Sequence, residues 1–222
     1  MAARKFLRTA ISLKRMLPLV YFILAGAYIA LQPRIYSGHF FLKASPILLL
    51  AAVVGFNDTI AAPFRWLLLA ALLCSAAGDI FLAFNIDDSS DTLFIAGLGS
   101  FLVGHIFYAL AFFQSVAFQI VSLLPIIFIL VLAATLAWKI WPKLGGLKFP
   151  VLFYILVSGL MGVAASFHAP FSWILVGGAI IFMVSDSMIA VQKFWRPVPY
   201  SDFLVMSTYY IAQFLIFWGL TQ

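Results

Sequence analysis

Two aspartates lie inside apolar stretches that hold almost no other charge: Asp79 in CSAAGDIFLAF and Asp186 in IFMVSDSMIAVQKF. An ionisable group in such a run is costly, and it persists where a partner or a function holds it there. Few other polar residues occupy comparable runs, namely Lys43, His105, and the set Tyr209, Tyr210 and Gln213 near the end of the chain. Two carboxyl groups with a lysine, a histidine and hydroxyls nearby permit acid and base catalysis. In a low-dielectric cavity one carboxyl group can keep its proton near neutral pH while a second, stabilised by Lys43, His105 or a tyrosine hydroxyl, stays ionised. Such a pair can donate a proton and activate water. Other chemistries fit poorly. His105 with two aspartates, in a chain without glutamate, offers no HExxH or similar metal-ligand spacing. No GxSxG elbow is present, and Ser75 and Ser185 have no recognisable base arrangement. Neither a metal nor a cofactor is expected.

Each of these residues also has a structural reading. Asp79 and Asp186 could be neutralised, or paired with Lys43, simply to hold helices together. His105 could be a satisfied buried donor, and Lys43 could extend its ammonium to the membrane surface from a span end. Tyr209, Tyr210 and Gln213 could be ordinary interhelical hydrogen-bond partners. Tyr21 and Tyr28 read as core or lipid contact. The lone Cys74 excludes an intrachain disulfide and reads as packing.

The elements that must position these groups are membrane helices. Of 222 residues 65% are hydrophobic and only 9% charged, and the mean hydropathy is +1.14, outside the range of soluble domains. The expected fold is all-α, a polytopic bundle of about eight transmembrane helices at 16–31, 40–56, 65–84, 93–114, 119–138, 149–167, 172–191 and 203–220. Short polar turns separate them, among them Gln32-Pro33-Arg34, Asn85 to Asp91 with three aspartates, and Pro142 to Lys148. The weakest break lies between Gln114 and Ser122, where a seven-span alternative arises. Residues 1–222 read as one integral membrane domain, of which 1–15 is a basic segment (Arg4, Lys5, Arg8, Lys14, Arg15) without a cleavage site after it. The net charge of +6 sits at span ends, beside lipid headgroups, so nucleic acid is not an expected partner. Lys139, Lys143, Lys148, Lys193 and Arg196 oppose the N-terminal cluster across the membrane, and orientation is left undetermined.

Asp79 and Asp186 are 107 residues apart, each near the fifteenth position of its span, which points to two four-helix parallel repeats with both carboxyl groups at one depth. Each lies five residues before the expected end of its span, or roughly 8 Å below the same face. Helical spacing aligns Leu98, Phe101, His105, Tyr108 and Phe112 along one side of the fourth span, and Met206, Tyr209 or Tyr210, Gln213 and Phe217 along one side of the eighth. Gly97, Gly104, Ser158, Gly162 and Ser166 suit close helix contact.

The series Lys43-x-x-Pro46, Gly78-Asp79, Gly104-His105-x-x-Tyr108, Ser185-Asp186 and Tyr209-Tyr210-x-Ala212-Gln213 resembles the lysoplasmalogenase family of YhhN-like membrane proteins, with KASP here where that family has a tighter KP pair. The resemblance runs from about Lys43 to Gly219. It implies hydrolysis of the vinyl ether bond of a lysoplasmalogen to a fatty aldehyde and a glycerophospho-headgroup. A vinyl ether hydrolyses through carbon protonation and attack of water on an oxocarbenium ion, which matches an acid, an anion and a positioned water. The residues expected to act are Asp79, Asp186 and His105 in catalysis, with Lys43, Tyr108, Tyr209, Tyr210 and Gln213 on the substrate. The partners expected are a lysophospholipid and membrane lipids, with no obligate protein partner. The expected location is a membrane crossed several times, the inner membrane in a bacterium or an endoplasmic-reticulum-type membrane in a eukaryote. A proton-coupled transporter and a non-catalytic lipid-binding protein are the alternatives, because intramembrane Asp, Lys and His serve those functions too.

Overall fold

Long runs of Leu, Ile, Val, Phe and Ala satisfy their backbone groups within one segment only as helices, the requirement an apolar solvent imposes. The computed structural model describes residues 2–32, 38–85 and 90–221, with side chains from Met16 onward. Among them the chain forms eight α-helices: α1 (Ala2–Leu31), α2 (His39–Gly55), α3 (Ala62–Phe84), α4 (Asp91–Phe112), α5 (Leu123–Ile140), α6 (Lys148–Phe167), α7 (Trp173–Phe194) and α8 (Ser201–Thr221). Six helical stretches, from α3 onward, are long and apolar enough to cross a membrane, whereas Met16–Leu31 and His39–Gly55 are apolar but shorter. The protein is an all-helical, multi-pass membrane protein. The expected count of about eight thus reaches six on length and composition alone. The side chains of the N-terminal basic cluster, together with Arg34, Asp87 and Asp88 of the expected turns, lie outside the described residues.

Side chains start two of these helices. Ser90 Oγ accepts from Leu93 N–H ahead of α4, and Ser172 Oγ accepts from Leu175 N–H ahead of α7, each at 3.3 Å. The weakest break in the sequence proves to be a real one. Between α4 and α5 the chain pairs with the α6–α7 turn through an isolated antiparallel bridge, Val116 with His168. Ala117 N–H donates to Phe167 O and Ala169 N–H to Ser115 O, both at 2.9 Å.

α7 departs from expectation. It continues three residues beyond Val191 to Phe194, because Gln192 and Lys193 extend the helix past the point where hydropathy falls. Asp186 therefore stands eight residues from its helix end and Asp79 five from the end of α3, or about 12 Å and 8 Å along their own helices. The depths expected to match differ by this measure.

The most extensive helix pairings are α3 with α4 and α7 with α8. Glycines allow both. A Cβ at Gly78 would stand 2.7 Å from the Phe101 ring on α4, and one at Gly219 would stand 2.7 Å from the Leu175 backbone nitrogen on α7. Close helix approach of this kind is how bundles gain contact where no solvent drives apolar surfaces together.

Candidate active site

A cavity of about 480 Å³ opens at the face where α3 and α7 end and α2, α4 and α8 begin. Lys43, Asp79, Phe101, Asp186 and Tyr209 all line it. Of the eight residues selected from sequence, four thus share one cavity, and His105 lies 3.2 Å from one of them, Asp186.

Asp79 is 1% exposed. Tyr209 Oη, from α8, donates to its Oδ2 at 2.8 Å, and the Lys43 ammonium lies within electrostatic reach of it. Lys43 is positioned by its own helix. Pro46 has no N–H to donate to the Leu42 carbonyl one turn earlier, and the Ser45 hydroxyl takes that acceptor at 2.9 Å. The Lys43 carbonyl receives Tyr210 Oη at 2.7 Å, and the Tyr210 carbonyl receives Tyr21 Oη at 2.8 Å. The KASP segment is thereby tied to α8, and α8 to α1.

Asp186 has different neighbours. Its Oδ2 accepts from Tyr154 Oη at 3.0 Å and lies 3.2 Å from His105 Nε2. This second approach is within ion-pair range but lacks the alignment of a formed hydrogen bond. His105 Nδ1 is 2.8 Å from the Phe101 carbonyl. A carbonyl only accepts, so Nδ1 carries the hydrogen, and in a neutral ring Nε2 would present a lone pair to the carboxyl oxygen. Two lone pairs facing at this distance repel. The arrangement is favourable when the His105–Asp186 pair holds one additional proton, on either partner.

Aromatic rings join the two clusters. Phe182 packs 4.7 Å from the His105 ring centroid and 5.5 Å from that of Tyr209, and Phe101 stands 5.6 Å from Tyr209. Ser185, next to Asp186, donates to the Val205 carbonyl at 3.0 Å and pins α7 against α8.

The remaining sequence candidates are placed elsewhere. Tyr108 Oη donates to Gln213 Oε1 in a buried pair between α4 and α8, and Tyr210 serves the α2 tie described above. None of these three lines the cavity. Tyr154 was not singled out by sequence reasoning. The available signal is a phenol hydroxyl in the apolar run FPVLFYILVSG, four residues before Ser158. Lys193 and Asp202 also line the cavity, because α7 runs beyond its expected end and α8 begins at that face. Among the described residues no group of three or more His, Cys, Asp or Glu could hold a metal ion.

A bundle of apolar helices with two carboxyl groups, a histidine and a lysine gathered at one face defines a class of membrane protein with an internal polar site. The YhhN family matches residues 38–220. The chain is 35% identical over 179 residues to Lysoplasmalogenase TMEM86A of Homo sapiens, covering 77% of this chain and 70% of that protein. It is 30% identical over 184 residues to Lysoplasmalogenase TMEM86B of Mus musculus, covering 79% and 72%. It is also 35% identical over 158 residues to a lysoplasmalogenase of Mycobacterium tuberculosis, covering 68% and 58%. No solved structure matches the chain. The chain belongs to the YhhN family.

Proposed function

We propose that this protein is a membrane lysoplasmalogenase, a cofactor-independent hydrolase acting on the vinyl ether bond of single-chain alkenyl glycerophospholipids. The observation that carries the reading is the pair of unlike carboxyl groups on one cavity, Asp79 beside Lys43 and Tyr209, Asp186 beside His105 and Tyr154. Its relatives named lysoplasmalogenase support the same reaction class.

In this reading the proton held by the Asp186–His105 pair passes to the β-carbon of the vinyl ether. The C=C electron pair forms the new C–H bond, and the adjacent carbon becomes an oxocarbenium ion. Asp79, kept ionised by Lys43 and Tyr209, stabilises that cation and accepts a proton from the attacking water. The water oxygen bonds to the cationic carbon and gives a hemiacetal. Its C–O bond to glycerol then breaks as Asp79 gives the proton it took to the glycerol oxygen and the hemiacetal hydroxyl returns its proton to the Asp186–His105 pair, releasing a fatty aldehyde and the glycerophospho-alcohol with both groups restored. Phe101 lines the cavity, and an aromatic ring there favours a nearby cation. Tyr108, Tyr210 and Gln213 act by fixing α4, α2 and α8 around the cavity.

We further read residues 1–222 as one membrane domain in which all eight helices cross, α1 and α2 included, arranged as two parallel four-helix repeats. The pairings support this: α2 with α3 and α3 with α4 in the first half correspond to α6 with α7 and α7 with α8 in the second, and α2 with α8 corresponds to α6 with α4.

Purified protein in detergent is expected to release aldehyde from a lysoplasmalogen and none from the matched ester or saturated alkyl ether lipid, because only the vinyl ether accepts a proton on carbon to yield a stabilised cation. Equal cleavage of the ester would make acyl transfer the better reading. Activity confined to sealed vesicles with a gradient would favour a carrier.

A further inference from the structure

A second cavity, of about 430 Å³, lies between α4, α5, α6 and α7. It shares Phe94, Phe101, Asp186, Ile189 and Lys193 with the first, and its other walls are almost wholly apolar, including Leu102, Leu136 and Phe153. Its extent can be read along three helices. Asp91 to Leu102 on α4, Leu147 to Ser158 on or just before α6, and Phe194 to Met183 on α7 each cover twelve residues, or about 16 Å of helix. The chamber therefore runs beside the bundle from the polar face inward, with charge confined to one end and to the Asp186 wall. Its flank reaches the outer surface: Ile95 is 61% and Phe153 54% exposed.

α4 has three glycines that do different things. A Cβ at Gly97 would meet Leu82 at 2.7 Å, and one at Gly104 would meet the Ala71 carbonyl at 3.2 Å, so both are packing positions against α3. A Cβ at Gly99 would meet nothing within 4 Å, and Gly99 lines the apolar chamber. Gly99 is a gap in the α4 wall between Ile95 and Leu102.

From this we infer that the chamber is the lateral entry port and binding site for the single aliphatic chain of the substrate, held open at Gly99, and that it brings the first carbons of that chain to Asp186. The occupant follows from the walls. A lipid with one chain and one polar head matches an apolar branch joined to a polar branch at a carboxyl group, whereas a two-chain lipid would have to place its second chain among Lys43, Asp79 and Asp202. The shared wall at Asp186 also explains a division of labour: the carboxyl group that meets the chain is the one beside the proton-holding histidine. This assignment rests on the hydrolase reading above, while occupancy of the port by a chain does not.

The two are tested separately. A non-hydrolysable alkyl lysophospholipid with a diazirine on the first part of its chain is photolysed with the purified protein, and the labelled peptides are mapped. Labelling of the α4, α6 and α7 chamber walls around Leu98, Phe153 and Met183, competed by unlabelled lysolipid, is expected. Labelling confined to the outer face of α5, without competition, would overturn the port. In a kinetic arm, Gly99→Leu and the milder Gly99→Ala are compared on alkenyl substrates of stearyl and propyl chain length with one headgroup. The ratio of kcat/KM for the long chain to that for the short chain is expected to fall about tenfold in Gly99→Leu and less in Gly99→Ala; an unchanged ratio in both would overturn the port. Competed chamber labelling without turnover of any alkenyl lipid would leave the port standing and remove the hydrolase.

Discussion

Asp79 and Asp186 face the same cavity in opposite company. Around Asp79 every partner favours an anion, since a phenol donates to it and a lysine ammonium lies within electrostatic reach. Around Asp186 one partner donates, Tyr154, and the other, His105, has already committed its Nδ1 hydrogen to the Phe101 carbonyl. The difference does not lie in the carboxyl groups or in the apolar helices that carry them. It lies in the partners: those of Asp79 favour its anion, whereas the His105–Asp186 contact is favourable only with an added proton. In the function proposed above, lining one cavity with Phe101 lets the two serve as acid and base, the arrangement general acid–base catalysis requires.

The sharpest way to break that comparison is to remove each carboxyl group in turn. Asp186→Asn and Asp79→Asn keep side-chain volume and should leave the proteins folded, while kcat on a lysoplasmalogen falls by about 10² to 10⁴ in each, the range for a positioned proton transfer. The two losses should differ in kind. Small carboxylic acids are expected to restore turnover to Asp186→Ala in proportion to their undissociated form, and to Asp79→Ala in proportion to their anion. Rescue of both by the same species would show that the two sites are not distinguished as described, and activity above about a tenth of wild type in both Asn variants would remove the two-carboxylate mechanism.

Much of this is legible in the sequence. Asp79, Asp186, His105 and Lys43 stand out because charge in an apolar run is rare, and helical spacing put Phe101, His105, Tyr108 and Phe112 on one side of α4, all of which are buried. The asymmetry of the two aspartates was not legible. It depends on which helix each meets, and no local pattern states that α6 delivers Tyr154 to Asp186 or that α8 delivers Tyr209 to Asp79. The end of α7 was misplaced for a related reason: hydropathy falls at Gln192 and Lys193, but a helix ends where its backbone bonds end, and Lys193 is placed within 3.9 Å of Asp91 and over the Phe94 ring at 4.7 Å. Tyr108 and Gln213 read as site residues because they share a face with His105 and Tyr209, yet they bond each other one turn deeper.

Smaller effects sharpen the comparison. His105→Gln removes the ring that shares the proton while keeping a polar side chain, and kcat is expected to fall about 10²-fold with the solvent deuterium isotope effect altered. Tyr154→Phe removes one hydrogen bond to a charged group, for which a loss of about tenfold in kcat is expected. Tyr209→Phe is the matched control on the other side. If Tyr154→Phe changed the isotope effect on kcat and Tyr209→Phe did not, the proton step would belong to the Asp186 side. The reverse result would exchange the roles.

The smallest effect expected is at Lys43, and it separates two uses of one ammonium. Lys43 lines the cavity near the face where a phosphate would lie, and it also acts electrostatically on Asp79 and Asp202. An anchor for phosphate would bind ground state and transition state alike, so its loss would raise KM and spare kcat. A group that keeps Asp79 anionic acts on the base itself, so its loss lowers kcat. Lys43 and Asp79 are both buried, but Tyr209 still donates to Asp79 when the ammonium is gone, so a net loss of about 1 kcal/mol, or about fivefold in rate, is expected. Lys43→Met is therefore expected to lower kcat about fivefold with KM nearly unchanged, and Lys43→Arg, which keeps the charge, to recover most of that loss. The fold should tolerate both, because the ties at this position run through the Lys43 carbonyl and the Ser45 hydroxyl, not through the side chain. A rise in KM alone, equally relieved by arginine, would move Lys43 from Asp79 to the headgroup and leave Tyr209 as the partner that defines the anionic site.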